Sequence, residues 1–143
     1  MTAPTPSSRE RGLQLLRDGR ASESVDCFLQ AIVEEPSDPQ LYLYLGLAYF
    51  EQGSLDKTIE ILEQAADVAP TSAQVHYNLG VAYQKAHNLT QAKDEYLRAL
   101  GLDSAYAPPK KALETLPTSQ DDGKQGDDTA RDAGEEPAAP PPA

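Results

Sequence analysis

Tryptophan is absent from the sequence, cysteine and methionine occur once each, and phenylalanine occurs twice in 143 residues. A single cysteine, Cys27, excludes an intramolecular disulfide framework and a cysteine-based zinc site. Basic residues are also scarce. Twelve Lys and Arg stand against 23 Asp and Glu, for a net charge of −11, so no basic surface accumulates to meet a phosphate backbone. No apolar run approaches the roughly 18 to 20 residues of a membrane span. The start, Met1-Thr2-Ala3-Pro4-Thr5-Pro6-Ser7-Ser8, has neither the basic nor the apolar segment of a secretory signal. A cytoplasmic location is therefore expected. Only two histidines occur, His76 and His87, and neither has a second ligand or a nucleophile at a useful spacing. The pairs Asp121-Asp122 and Asp127-Asp128 lack the alternation and glycine of a calcium loop. The glycines never cluster into a phosphate-binding loop. No catalytic residue, cofactor or metal is expected, and the chain reads as non-enzymatic.

What is present is a period. Shifting the sequence by 34 residues superposes Gly12, Gly46 and Gly80; Leu15, Tyr49 and Tyr83; Phe28, Leu62 and Tyr96; and Ala31, Ala65 and Ala99. Pro36 matches Pro70, with Ser104 third, and Gly19 matches Gly53, with His87 third. A gapless period of this length marks a stacked-repeat architecture.

Each unit reads as two helices. Asp38-Pro39 supplies an N-cap and a first-turn proline. Leu45, Ala48, Tyr49 and Gln52 then recur at helical spacing until Gly53-Ser54 interrupts them. Leu55, Ile59, Leu62, Ala65, Ala66 and Val68 form the next stripe, which stops at Pro70. In the third unit, Asn88 with Gln91 three residues later predicts a capping box. Gly46 and Gly80 predict close approach between helices, as do Ala65 and Ala99, with Phe28 and the tyrosines filling the space between. Ala107-Pro108-Pro109 followed by Ala112, Leu113 and Leu116 predicts a short seventh helix over 108–116, covering the apolar end of the third unit. Residues 117–143 contain seven acidic and two basic residues and no Val, Ile, Leu, Phe or Tyr. That composition predicts a disordered acidic tail with a polyproline-like end at Pro137–Ala143. The tail carries −5 of the total −11, leaving −6 on the repeats.

These residues resemble the tetratricopeptide repeat (TPR) pattern. The second unit shows it in Tyr42, Leu45-Gly46, Tyr49, Thr58, Leu62, Ala65 and Pro70. The third shows His76, Leu79-Gly80, Tyr83, Ala92, Tyr96, Ala99 and Ser104. The first is the most divergent, with Ser8, Arg11-Gly12, Leu15, Ser24, Phe28, Ala31 and Pro36. The resemblance implies an all-α solenoid with repeats 5–38, 39–72 and 73–106. The organisation expected is a disordered N-terminus 1–7, a repeat domain 8–116 and the tail 117–143.

The resemblance also implies a concave groove lined by the first helix of each unit. By repeat alignment its residues are Arg9, Leu13, Leu16 and Arg17; Gln40, Leu43, Leu47, Phe50 and Glu51; and Gln74, Tyr77, Val81, Gln84 and Lys85, with Lys111 from the capping helix. Leu43, Leu47 and Phe50 share one helix face, opposite Leu45, Ala48 and Tyr49, so that helix is apolar nearly all round. The expected activity is that of an adaptor: burial of a partner's peptide or amphipathic helix in this groove. The carboxylate clamp of chaperone-tail binders is mostly missing. Arg9 and Asn78 fit it, but Leu13, Tyr44 and Gln74 stand where two Asn and a Lys are required. Two alternatives stand beside the adaptor. One is a small chaperone like those of type III secretion. The other is a self-assembling scaffold, for which Leu29, Val33 and Leu97 would be the outward apolar residues, so monomer and weak homo-oligomer both remain open.

Overall fold

The computed structural model describes residues 4–117. The expectations for residues 1–3 and for the tail beyond Pro117 lie outside the described residues. Among the described residues seven helices follow one another: α1 (Ser8–Arg17), α2 (Ala21–Glu34), α3 (Pro39–Glu51), α4 (Leu55–Val68), α5 (Ala73–Lys85), α6 (Leu89–Leu102) and α7 (Ala107–Thr115). They form three packed pairs, α1 with α2, α3 with α4 and α5 with α6, each stacked on the next, and α7 closes the row against α6. There is no strand among the described residues.

The 34-residue period has a physical cause at each matched column. A Cβ on Gly12, Gly46 or Gly80 would lie 2.7, 3.0 or 2.6 Å from the side chain of Phe28, Leu62 or Tyr96 respectively. Each glycine thus seats a large apolar residue of its unit's second helix, and all three of those side chains are buried. The turn within each pair needs one residue in the left-handed region: Gly19 (φ 77°), Gly53 (φ 80°) and His87 (φ 64°). The third column explains Tyr42 and His76. The Tyr42 hydroxyl donates to the Pro36 carbonyl at 2.8 Å, and His76 Nε2 donates to the Pro70 carbonyl at the same distance. Both residues tie the first helix of a unit to the end of the previous one. His76 is buried, with Nδ1 also 2.7 Å from Glu95 Oε1.

The closing helix continues the period. Leu41, Val75 and Pro109 are spaced by 34 residues and all three are fully buried. α7 therefore packs on α6 as α3 packs on α2, with Ala112, Leu113 and Leu116 against the core. It begins at Ala107 and ends at Thr115, one residue earlier at each end than its apolar pattern suggests. Pro117 accounts for the earlier end, because it disfavours helical backbone at the residue before it.

Helix starts differ from expectation in one respect. Asp38 caps α3 as read from the sequence, accepting from the Gln40 amide at 3.0 Å. Asn88 precedes α6 but makes no side-chain cap, so the Asn88–Gln91 box does not form. Its backbone (φ −90°, ψ 73°) lies outside the extended region from which a capping side chain reaches back. Ser54 and Arg20, one and two repeats earlier, have nearly the same backbone and likewise make no side-chain cap. The tight left-handed turn fixes that geometry. Among the described residues, the one complete capping box is at the start of α1. There Ser7 Oγ accepts from the Glu10 amide at 3.1 Å, and Glu10 Oε1 accepts from the Ser7 amide at 2.9 Å.

Candidate functional site

The first helices of the pairs, α1, α3 and α5, lie side by side and in contact. Between α3 and α5 they open a cleft of about 400 Å³ floored by α4. Six of the residues read from the sequence line it: Gln40, Leu43, Leu47 and Phe50 from α3, and Gln74 and Val81 from α5. The floor is Thr58 and Leu62 of α4, and the rest of the walls is Tyr44 and Gly46 of α3 and Asn78 and Ala82 of α5. Among the described residues, no side chain lining the cleft is charged.

The apolar part is unevenly exposed, and that difference locates the accessible surface. Leu43 is buried in the core cluster, with only an edge on the cleft. Leu47 and Phe50 are 46% and 40% exposed, among the most exposed large apolar residues described. α3 is apolar on both sides, as its sequence suggests, because Leu41, Tyr42, Leu45 and Ala48 face the neighbouring helices. Leu47 and Phe50 are left over. At the opposite end of the cleft stand three amides. Gln40 Nε2 donates to Gln74 Oε1 at 3.2 Å, and Asn78 lies one turn further along α5. Free lone pairs and N–H groups on these amides match what an extended backbone presents.

The charged residues expected in the groove behave differently. Arg9 is committed within the molecule, pairing with Asp38 and reaching Glu35 at 3.5 Å. Its hydrogen bond to Asp38 raises its pKa further above the usual guanidinium value. Asp38 is itself the N-cap of α3, so the ion pair fixes α1 against α3 and neutralises the charge. Arg17 is exposed and donates to Gln14 at 3.0 Å. Leu13 and Leu16 are partly buried against the core. None of these four reaches the cleft, nor does Glu51, which is exposed at the end of α3.

Tyr77, Gln84 and Lys85 gather around a second cavity of about 720 Å³, between α5, α6 and α7, to which His87 and Pro117 also contribute. Val81 lines both cavities. Tyr77 is held between Tyr96 (centroids 5.8 Å apart) and Tyr106 (5.9 Å, edge to face). The Tyr96 hydroxyl donates to Gln84 at 2.7 Å, and burial pushes its pKa up to about 12. Lys111, on α7, is exposed and lines neither cavity.

Tyr44 and Asn78 are the residues missing from the groove set read by repeat position. They occupy the same place in successive units, 34 residues apart. In the sequence their position bears only on a carboxylate clamp, which Asn78 fits and Tyr44 does not. Tyr44 leans on Phe28 (centroids 5.6 Å apart), so the core of the first unit orients one wall of the cleft.

Family models described as tetratricopeptide repeat match residues 9–62 and 73–106, and one described as TPR repeat matches 46–86. Together they span α1 to α6. No curated protein matches the sequence significantly. Among solved structures, the Sgt2 TPR domain from Aspergillus fumigatus is 25% identical, with a TM-score of 0.74 over 92% of this chain and 93% of that one. The first TPR of Spaghetti (RPAP3), bound to HSP90 peptide SRMEEVD, is 22% identical, with a TM-score of 0.71 over 80% of this chain and 89% of that one. The Yersinia enterocolitica type III secretion translocator chaperone SycD is 14% identical, with a TM-score of 0.70 over 80% and 83%. At these identities the last two likenesses are of fold.

Proposed function

Because the chain belongs to the tetratricopeptide-repeat family, we propose that it is a non-catalytic adaptor whose cleft between α3 and α5 holds an uncharged, apolar segment of a partner protein. One observation carries this reading: all the side chains lining the cleft are uncharged, with exposed Leu47 and Phe50 at one end and the amides of Gln40, Gln74 and Asn78 at the other. Partner Leu, Phe or Met side chains would bury against Leu47, Phe50 and Val81. The amides would bond the partner backbone and fix its register. At ~25 cal/mol per Å², a few such side chains give affinity of roughly micromolar order once ordering costs are subtracted.

The same observation separates this adaptor from one that grips a chain terminus. A terminal carboxylate needs charge-assisted donors. Here Arg9 is already neutralised by Asp38, and Gln74 and Asn78 offer only neutral amides. The peptide SRMEEVD, bound by the Spaghetti domain, should accordingly bind this chain far more weakly than an apolar segment does. Selection from a displayed random-peptide library with the full chain tests the reading. Enriched peptides should carry two or three Leu, Phe or Met, and should bind equally well with their C-terminus amidated. Enrichment of acidic C-termini whose binding is lost on amidation would overturn it.

A further inference from the structure

We propose that the groove has an occupant in the free protein, the chain's own segment 118–143. Its acidic part would lie along the second cavity beside Lys85, and its Pro137–Ala143 end would lie in the uncharged cleft. The proposal rests on the reading of the cleft as a binding surface. Pro117, the last described residue, is itself part of the second cavity's wall. Val81 lines both that cavity and the cleft, so the two adjoin. The chain therefore leaves the repeat domain at the groove rather than on the opposite face.

Reach and the order of charges both agree with this path. Twenty residues separate Pro117 from Pro137, a contour of roughly 65–70 Å and a root-mean-square span of about 25 Å. Asp121 and Asp122, the first acids after the exit, come within about 15–20 Å of Pro117 at full extension. There they meet Lys85 in the cavity wall and Lys110 and Lys111 on α7, none of which has an ion-pair partner among the described residues. Only after the last acid, Glu136, does the sequence turn to Pro137-Ala138-Ala139-Pro140-Pro141-Pro142-Ala143. This uncharged run coincides with the uncharged cleft. Its prolines have fixed φ, so ordering it against Tyr44, Leu47 and Phe50 loses little entropy. Tethering gives an effective concentration of millimolar order, so even weak contacts fill the cleft for about half the time or more. The segment then competes with the partner.

The test is paramagnetic broadening in the full-length chain, with a nitroxide on Ala139→Cys in a Cys27→Ser background and the helical spectrum checked against the parent. If Cys27→Ser perturbs that spectrum, Cys27→Ala replaces it. The amide signals of Leu43, Leu47 and Val81 should lose about half their intensity or more, as that occupancy requires. Those of Leu29 and Leu97 on the outer face should keep theirs. Adding Leu47→Glu and Phe50→Glu should restore Leu43 and Val81 to the level of Leu29. Equal attenuation on both faces overturns the proposal. So does attenuation that appears only when isotope-labelled and spin-labelled chains are mixed, which would make a second copy the occupant. Neither failure touches the adaptor reading, which the peptide selection judges separately.

Discussion

At Gly80 an added methyl group would lie 2.6 Å from the buried Tyr96 ring and 3.3 Å from the Ala92 carbonyl. At Gly101, also helical, nothing stands within 4 Å. Gly80→Ala should therefore destabilise the fold by about 1–3 kcal/mol. Gly101→Ala should stabilise it by up to about 1 kcal/mol through helix propensity. Urea midpoints measure both, and shifts of the same sign would contradict the packing described. His87 is the converse case, a side chain at φ 64° where the other two units have glycine. His87→Gly should raise the thermal midpoint, by an amount corresponding to about 1 kcal/mol. A lower midpoint would mean that the side chain contributes more in the second cavity than its backbone strain costs. These columns were legible in the sequence because steric exclusion repeats with the chain. The bond from His76 to the Pro70 carbonyl was not, because nothing in a sequence says which acceptor a buried ring will find.

Helices α4, α5 and α6 are joined by two tyrosine hydroxyls as well as by apolar contact. Tyr83 on α5 donates to Glu63 on α4 at 2.5 Å, and Tyr96 on α6 donates to Gln84 on α5. Burial, reinforced at Tyr83 by Glu63, raises both phenol pKa values, that of Tyr96 to about 12. The unfolded chain releases these protons near pH 10, so above that pH the folded state binds more protons than the unfolded one. Stability should be unaffected by these groups below about pH 9.5 and should fall between about pH 10 and 12. Thermal melts followed by circular dichroism check this. Tyr83→Phe should decline less steeply over that interval, and an equal decline would remove the tyrosines as the cause. At this scale the helices themselves were readable from periodicity, and their caps only partly. Asn88 has the right chemistry for an N-cap, but the preceding left-handed turn sets its backbone. Ser7 and Glu10 form a true box, although Ser7 falls in the segment 1–7 whose sequence suggests disorder.

Across the whole molecule, a repeat stack must leave one surface that no further unit covers, and here that surface includes the row of first helices. Repeat position alone identified six of the cleft residues. It did not separate them from Arg9, Leu13, Leu16 and Arg17, because ion pairing and core packing decide which side chains remain available. The −11 charge likewise divides by place: the cleft has none of it, and the acidic residues lie on the rest of the solenoid and in the segment after Pro117. On the proposed reading, a partner is held there by apolar burial. The most direct measurement is calorimetric titration of a display-selected apolar peptide into the full chain and into the Leu47→Glu, Phe50→Glu double variant, with far-ultraviolet circular dichroism as the control for folding. Two carboxylates placed among the partner's apolar side chains should weaken binding by roughly 100-fold or more while helicity is retained. Unchanged affinity in a folded double variant would contradict the cleft as the binding surface.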